Sequence, residues 1–183
     1  MQTSKHLLLA LGLIALTFLF VIAMLSFFIL HAPAQTPAQA TYRQHGPAVL
    51  NDLKATPGAV GTMTTAQLCA ASFHTGTVRN VPESMKQAVC AEYGIARANC
   101  TGQKVEIDHL ISLELGGSND MRNLWPQPYF PRPGAKEKDV VENWLHAQVC
   151  SGKMPLATAQ QSIATDWYQI YLNINAALTT KQH

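Results

Sequence analysis

The stretch Val105–Tyr129, VEIDHLISLELGGSNDMRNLWPQPY, decides how the chain is read. From Lys104 to Ser112 apolar and polar residues alternate, the pattern of a strand with one buried face. Gly116-Gly117-Ser118-Asn119-Asp120 is dense in residues that favour turns, and Asn123-Leu124-Trp125 reads as a short returning strand. A helix follows at Ala135–Cys150, placing Val140, Val141, Trp144 and Leu145 on one side. The expected fold class is α+β: a small, mostly helical domain around a strand–turn–strand–helix centre, preceded by an N-terminal transmembrane helix.

Outward from that centre, Pro155 starts a last helix in which Leu156, Ala159, Ile163, Trp167, Ile170 and Ile174 follow a three-four spacing. Upstream, Pro82 opens a helix that Gly94 closes, with Met85, Ala88, Val89 and Tyr93 facing the core. Phe73 to Val81 alternates as a strand or an extended arm, and Thr64-Thr65 caps a short first helix. Residues 62–183 form the expected domain. Residues 32–61, rich in Ala, Pro, Gln, Gly and Thr, read as a linker with a short helical turn around Val49–Leu53.

Residues 1–31 differ from the rest. Leu7 to Leu30 is an uncharged run of twenty-four residues, which as a helix would span about 36 Å, enough to cross a bilayer. Lys5 precedes it and no Lys or Arg follows until Arg43, so the N-terminus stays in the cytoplasm. The expected location is the inner membrane, single-pass, with the C-terminal domain in the periplasm or outside the cell. The alternative is a signal peptide cleaved near His31-Ala32-Pro33-Ala34 or Ala38-Gln39-Ala40, giving a secreted protein.

Cysteine usage agrees with export. Cys69, Cys90, Cys100 and Cys150 lie beyond the apolar run, and none forms a Cys-x-x-Cys pair of the kind zinc sites use. Two disulfides result, with three connectivities open. Thirteen basic and eleven acidic residues give a net charge of +2, which excludes a strongly basic surface that would hold nucleic acid without selectivity. Polyanion binding must come from a local cluster; Arg122, Arg132, Lys136 and Lys138 stand near the centre.

The chemistry of the centre lies in Asp108 beside His109. A carboxylate holding a divalent ion next to a neutral imidazole that takes a proton from water suits phosphodiester hydrolysis. Successive strand residues face opposite sides, so both act together only if the strand twists or ends there. Asn123 can fix the loop through hydrogen bonds to backbone and so orient His109.

The full stretch resembles the HNH (ββα-metal) endonuclease family, in which an Asp-His pair ends the first strand, a Gly-rich loop follows and Asn-Leu occupies the second strand. The likeness extends to exported HNH-like proteins through Cys69, Thr77-Val78-Arg79, Lys86, Tyr93-Gly94, Lys138-Asp139, Glu142, Leu145 and Val149-Cys150, covering about Thr62 to Tyr171. It implies Asp108 as metal ligand, His109 as general base, Asn123 as the orienting residue, and the pairings Cys69–Cys150 and Cys90–Cys100. Its implied cofactor is a divalent ion, Mg²⁺ first, then Mn²⁺, Ni²⁺ or Zn²⁺. Its implied partner is nucleic acid, DNA ahead of RNA, and no protein partner follows from it. The family's usual third ligand would fall at Arg132, which cannot serve. Glu137 is expected as the second ligand, on the same helix side as Val140, Val141 and Trp144. Lys138, Arg122 and Lys136 are expected at the substrate, and Glu106 is a further candidate for the ion shell. Without a third ligand, the competing expectation is a catalytically inactive HNH-fold module that binds nucleic acid or an envelope partner.

Overall fold

The structure is a computed structural model that describes residues 20–22, 24 and 38–180. Phe20, Val21, Ile22 and Met24 are helical. The rest of the run 7–30, and with it the expected membrane span, lies outside the described residues. Among those described, no helix is long and apolar enough to cross a membrane.

The folded unit runs from Gln39, so the linker expected over residues 32–61 is corrected from that point onward. Strand β1 (Arg43–His45) pairs antiparallel with β2 (Ala48–Leu50), Arg43 opposite Leu50, around Gly46 at φ 55°. The positive φ suits glycine, which lacks the Cβ that makes this region costly for other residues. The turn expected at Val49–Leu53 is strand at Val49 and Leu50. Ala48 and Leu50 point into a core with Ile111, Leu115, Leu145, Trp167 and Tyr168, while Val49 and Tyr42 pack beside Tyr93, Leu110 and Trp125. Alternation over three residues is enough to bury one face once a core stands beneath it. Ala40 is tied in as well, its N–H donating to the Glu92 carbonyl at 3.0 Å.

Helix α1 (Thr65–Leu68) carries the expected Thr64 cap. Phe73 to Val81, expected to be extended, holds a 3₁₀ turn at Thr75–Thr77. Helix α2 (Glu83–Glu92) buries Val89 and Cys90 with Tyr93 just beyond, whereas Ala88 is exposed. Strands β3 (Val105–His109) and β4 (Leu124–Pro128) pair antiparallel, Asp108 opposite Trp125 and His109 opposite Leu124. Helix α3 (Ala135–Cys150) has the expected bounds but a different face. Val141, Leu145 and Val149 are buried with Lys138, while Val140 and Trp144 are 47% and 37% exposed. Helix α4 (Leu156–Thr180), interrupted at Asp166, packs Ala159, Ile163 and Trp167 against α3 and β2.

Disulfides join Cys69 to Cys150 and Cys90 to Cys100, the pairing the resemblance implies. The first ties the end of α3 to the end of α1, and the second ties α2 to the loop before β3.

Candidate active site

Strand β3 ends at His109, and Asp108 and His109 both line one cleft of about 240 Å³. Arg79, Glu114, Asp139 and Glu142 complete its charged wall. The end of the strand is what lets adjacent residues serve one space.

The loop from Leu110 to Ser118 is held from inside by Asn123, which is fully buried. Its Nδ2 donates to the carbonyls of Ile111 (3.0 Å) and Ser118 (2.9 Å), and its Oδ1 accepts from the N–H groups of Ile111 (2.9 Å) and Ala59 (3.3 Å). The loop's own backbone bonds run from Leu115 and Gly117 to Ser112 and from Gly116 to Leu113, and the Asn123 amide supplies the donors and acceptors that Ile111 and Ser118 still need. Gly117 is required here, because a Cβ would stand 1.8 Å from the Ile111 carbonyl oxygen. Asn123 thus takes the loop-fixing role expected of it and does not touch the imidazole.

Asn119 does. Its Nδ2 donates to the Val78 carbonyl (2.9 Å), so its Oδ1 is the acceptor for the Asn80 N–H (3.0 Å) and for His109 Nε2 (3.0 Å). The proton of a neutral His109 therefore sits on Nε2, and the Nδ1 lone pair accepts from an Arg79 guanidinium N–H (3.4 Å). Burial holds the His109 imidazole below the ordinary histidine value, opposed by the Asn119 bond and by Asp108. A neutral imidazole aimed into a cleft is a base ready to accept a proton.

Lys138 is fully buried, and its ammonium donates to Asp108 Oδ2 (2.7 Å), to the His109 carbonyl (2.9 Å) and to Glu142. Burial alone would lower its pKa, but Asp108 and Glu142 reverse this and hold it above the lysine range. One ammonium cannot balance two buried carboxylates. Glu142 is pushed up by burial, with Lys138 offsetting only part of the effect and Asp108 adding to it. Burial, then Asp108, raises Asp139; burial raises Glu114, and burial followed by Asp108 raises Glu106. The cleft is thus short of positive charge.

Other expected residues stand elsewhere. Glu137 is not among the residues lining the cleft: its carboxylate accepts from the Gly134 N–H (2.7 Å) and pairs with Arg132 (3.4 Å), capping its own helix. Asp139 and Glu142 occupy the cleft instead, because the helix face is turned about one residue from the apolar pattern. Lys138 is too buried for phosphate. Arg122 is exposed and held by Asp120 (3.1 Å), and Lys136 lies on the outer surface of the first turn of α3. Glu106 accepts from the Tyr129 hydroxyl (3.2 Å). In the sequence Asn119 reads only as a turn residue, and nothing local marks it as the imidazole's partner.

Among the described residues, one trio of Cys, His, Asp or Glu has ligand atoms all within 4.8 Å: Cys69, His146 and Cys150. Its two sulfurs are bonded to each other, and a disulfide offers no thiolate to a metal. No protein-family model, curated protein or solved structure matches this chain.

Proposed function

We propose that the chain is a metal-dependent endonuclease of the HNH type that hydrolyses phosphodiester bonds of nucleic acid, DNA ahead of RNA, outside the cytoplasm. The observation that carries this reading is the neutral His109, held through Nε2 by Asn119 and lining a carboxylate-rich cleft at the end of β3, where Arg79 now occupies its Nδ1. His109 takes the proton of the attacking water at Nδ1, and Asn119 fixes the ring and its tautomer. Arg79, beside Nδ1, supplies positive charge for a phosphate. Asp108, Asp139 and Glu142 supply hard oxygen donors in a cleft short of positive charge. The oxygens of these three do not all lie within 4.8 Å of one another, so an ion there would take one or two of the carboxylates and keep several waters, which suits Mg²⁺ better than the softer Ni²⁺ or Zn²⁺. Bound there, the ion would stabilise charge on the phosphoryl oxygens and on the leaving group. The uncharged run Leu7–Leu30 supports an inner-membrane anchor, and the two disulfides support an oxidising compartment such as the periplasm.

The full chain, purified in detergent, should nick plasmid only with added Mg²⁺ or Mn²⁺, and His109→Ala should abolish nicking. Equal activity in the variant would sink the assignment. The Lys138–Asp108 contact favours one second reading, a catalytically inactive module of the same fold whose ammonium replaces the ion. Calorimetry separates the two: metal binding that disappears in Asp108→Asn supports the enzyme.

A further inference from the structure

The cleft at His109 adjoins two further recesses. Arg79 is shared with the first, of about 430 Å³, which also contains Glu106, Tyr129 and Lys86, the last paired with Glu83 at 3.5 Å. Tyr129 and Gly102 are shared with the second, of about 360 Å³, whose other walls are Gln103, Phe130, Arg132 and Lys136. No acid lines this far recess. Phe130 is 74% exposed, more than any other large apolar side chain among the described residues. Lys136 has no hydrogen bond or ion pair among the described residues, and the Arg132 side chain is 59% exposed beside Glu137.

An exposed phenyl ring sharing a recess with an unpaired lysine and with an arginine that Glu137 pairs from one side suits a ligand with a flat apolar face and negative charge beside it. A nucleotide has both. Stacking requires a base whose faces are free, which a duplex does not offer, while a backbone alone would use the cations and leave the ring unused. We infer that these recesses form a track for single-stranded nucleic acid, with a base stacked on Phe130 and phosphates on Arg132 and Lys136. Farther along, Lys86 and Arg79 meet the backbone on its way to His109. The track rests on the nuclease reading for its direction, but its binding chemistry stands apart from cleavage. With a net charge of only +2, the local arrangement sets the preference.

Fluorescence anisotropy of the full chain in detergent, without added metal, tests this with a short labelled single strand and the matching duplex. The single strand should bind roughly ten-fold tighter than the duplex. Phe130→Ala should weaken single-strand binding about ten-fold and leave duplex binding unchanged, and Phe130→Trp should retain it. Arg132→Ala with Lys136→Ala should weaken both and flatten the salt dependence. Equal affinity for both forms, no binding of either, or no effect of Phe130→Ala on the single strand overturns the track. A chain that cleaves nothing yet binds single strands through Phe130 keeps the track and removes the nuclease reading.

Discussion

Replacing Asn123 with alanine should destabilise the domain by roughly 3–5 kcal/mol, worked from the four bonds its amide makes. Ile111 loses a partner on both its N–H and its carbonyl, at 2.9 and 3.0 Å, and the residue is only 5% exposed. Stranding a buried polar group costs on the order of 1–3 kcal/mol, so these two dominate. Ser118 and Ala59 are half-buried, and water can replace part of what they lose. Set against a typical domain stability of about 5–15 kcal/mol, the change takes a large share. Urea unfolding followed by tryptophan fluorescence would read it as a lower midpoint at unchanged slope, with buried Trp125 on β4 as one reporter. Asn123→Asp keeps an acceptor for the Ile111 N–H but turns a second acceptor toward the carbonyls of Ile111 and Ser118, so it should lose at least as much. An alanine variant within about 1 kcal/mol of the parent would refute the stapling role. Lost nicking at full stability would instead make Asn123 a chemical participant.

Lys138→Met should destabilise the fold by about 3–5 kcal/mol, because Asp108 and Glu142 are left buried without their cation. The deficit should shrink as the pH falls and Glu142, already raised by burial, takes up a proton, which urea midpoints across pH would show. His109 has a folded pKa below its unfolded one, so the unfolded chain binds the proton first. The stability this group contributes is present above about pH 6.5 and lost as the pH falls toward the folded value. Comparing His109→Gln with the parent from about pH 7.5 to 5 should show that slope only in the parent. Removing Cys69–Cys150, which spans 81 residues, should cost about 4 kcal/mol in the chain-entropy picture. Removing Cys90–Cys100, which spans 10, should cost about 3 kcal/mol by the same reasoning. Thermal unfolding of the two double-alanine variants would rank them.

The strand–turn–strand–helix centre is legible because its signals are local: alternation into His109, a run of turn residues, and a helix bounded as expected at Ala135–Cys150. The face of that helix is not. Lys138 and Glu142 read as polar and therefore outward, so the buried side is drawn through Val140 and Trp144. Two charges that neutralise each other in the interior leave no apolar signature. Drawing the face that way also turns Glu137 toward the cleft, which Asp139 and Glu142 line instead. The β1–β2 hairpin hid in composition, since three-residue strands separated by Gly46-Pro47 carry little pattern of their own. They become strands through the core beneath them. The Asn119–His109 bond was invisible for a different reason. Its geometry depends on Val78 and Asn80, some forty residues earlier, which turn the amide so that its oxygen faces the ring.

Many small metal domains are unfolded until the ion arrives, because the free energy of binding it is what folds them. The Lys138 ammonium changes that relation. It is a counter-charge carried on the chain itself, covalently fixed at full occupancy and indifferent to metal supply. The acids around it are therefore gathered before any ion is present, and folding is uncoupled from loading. On the nuclease reading proposed above, a chelator should strip activity while leaving the fold, the disulfides and the melting curve in place, and returning the ion should restore nicking without refolding.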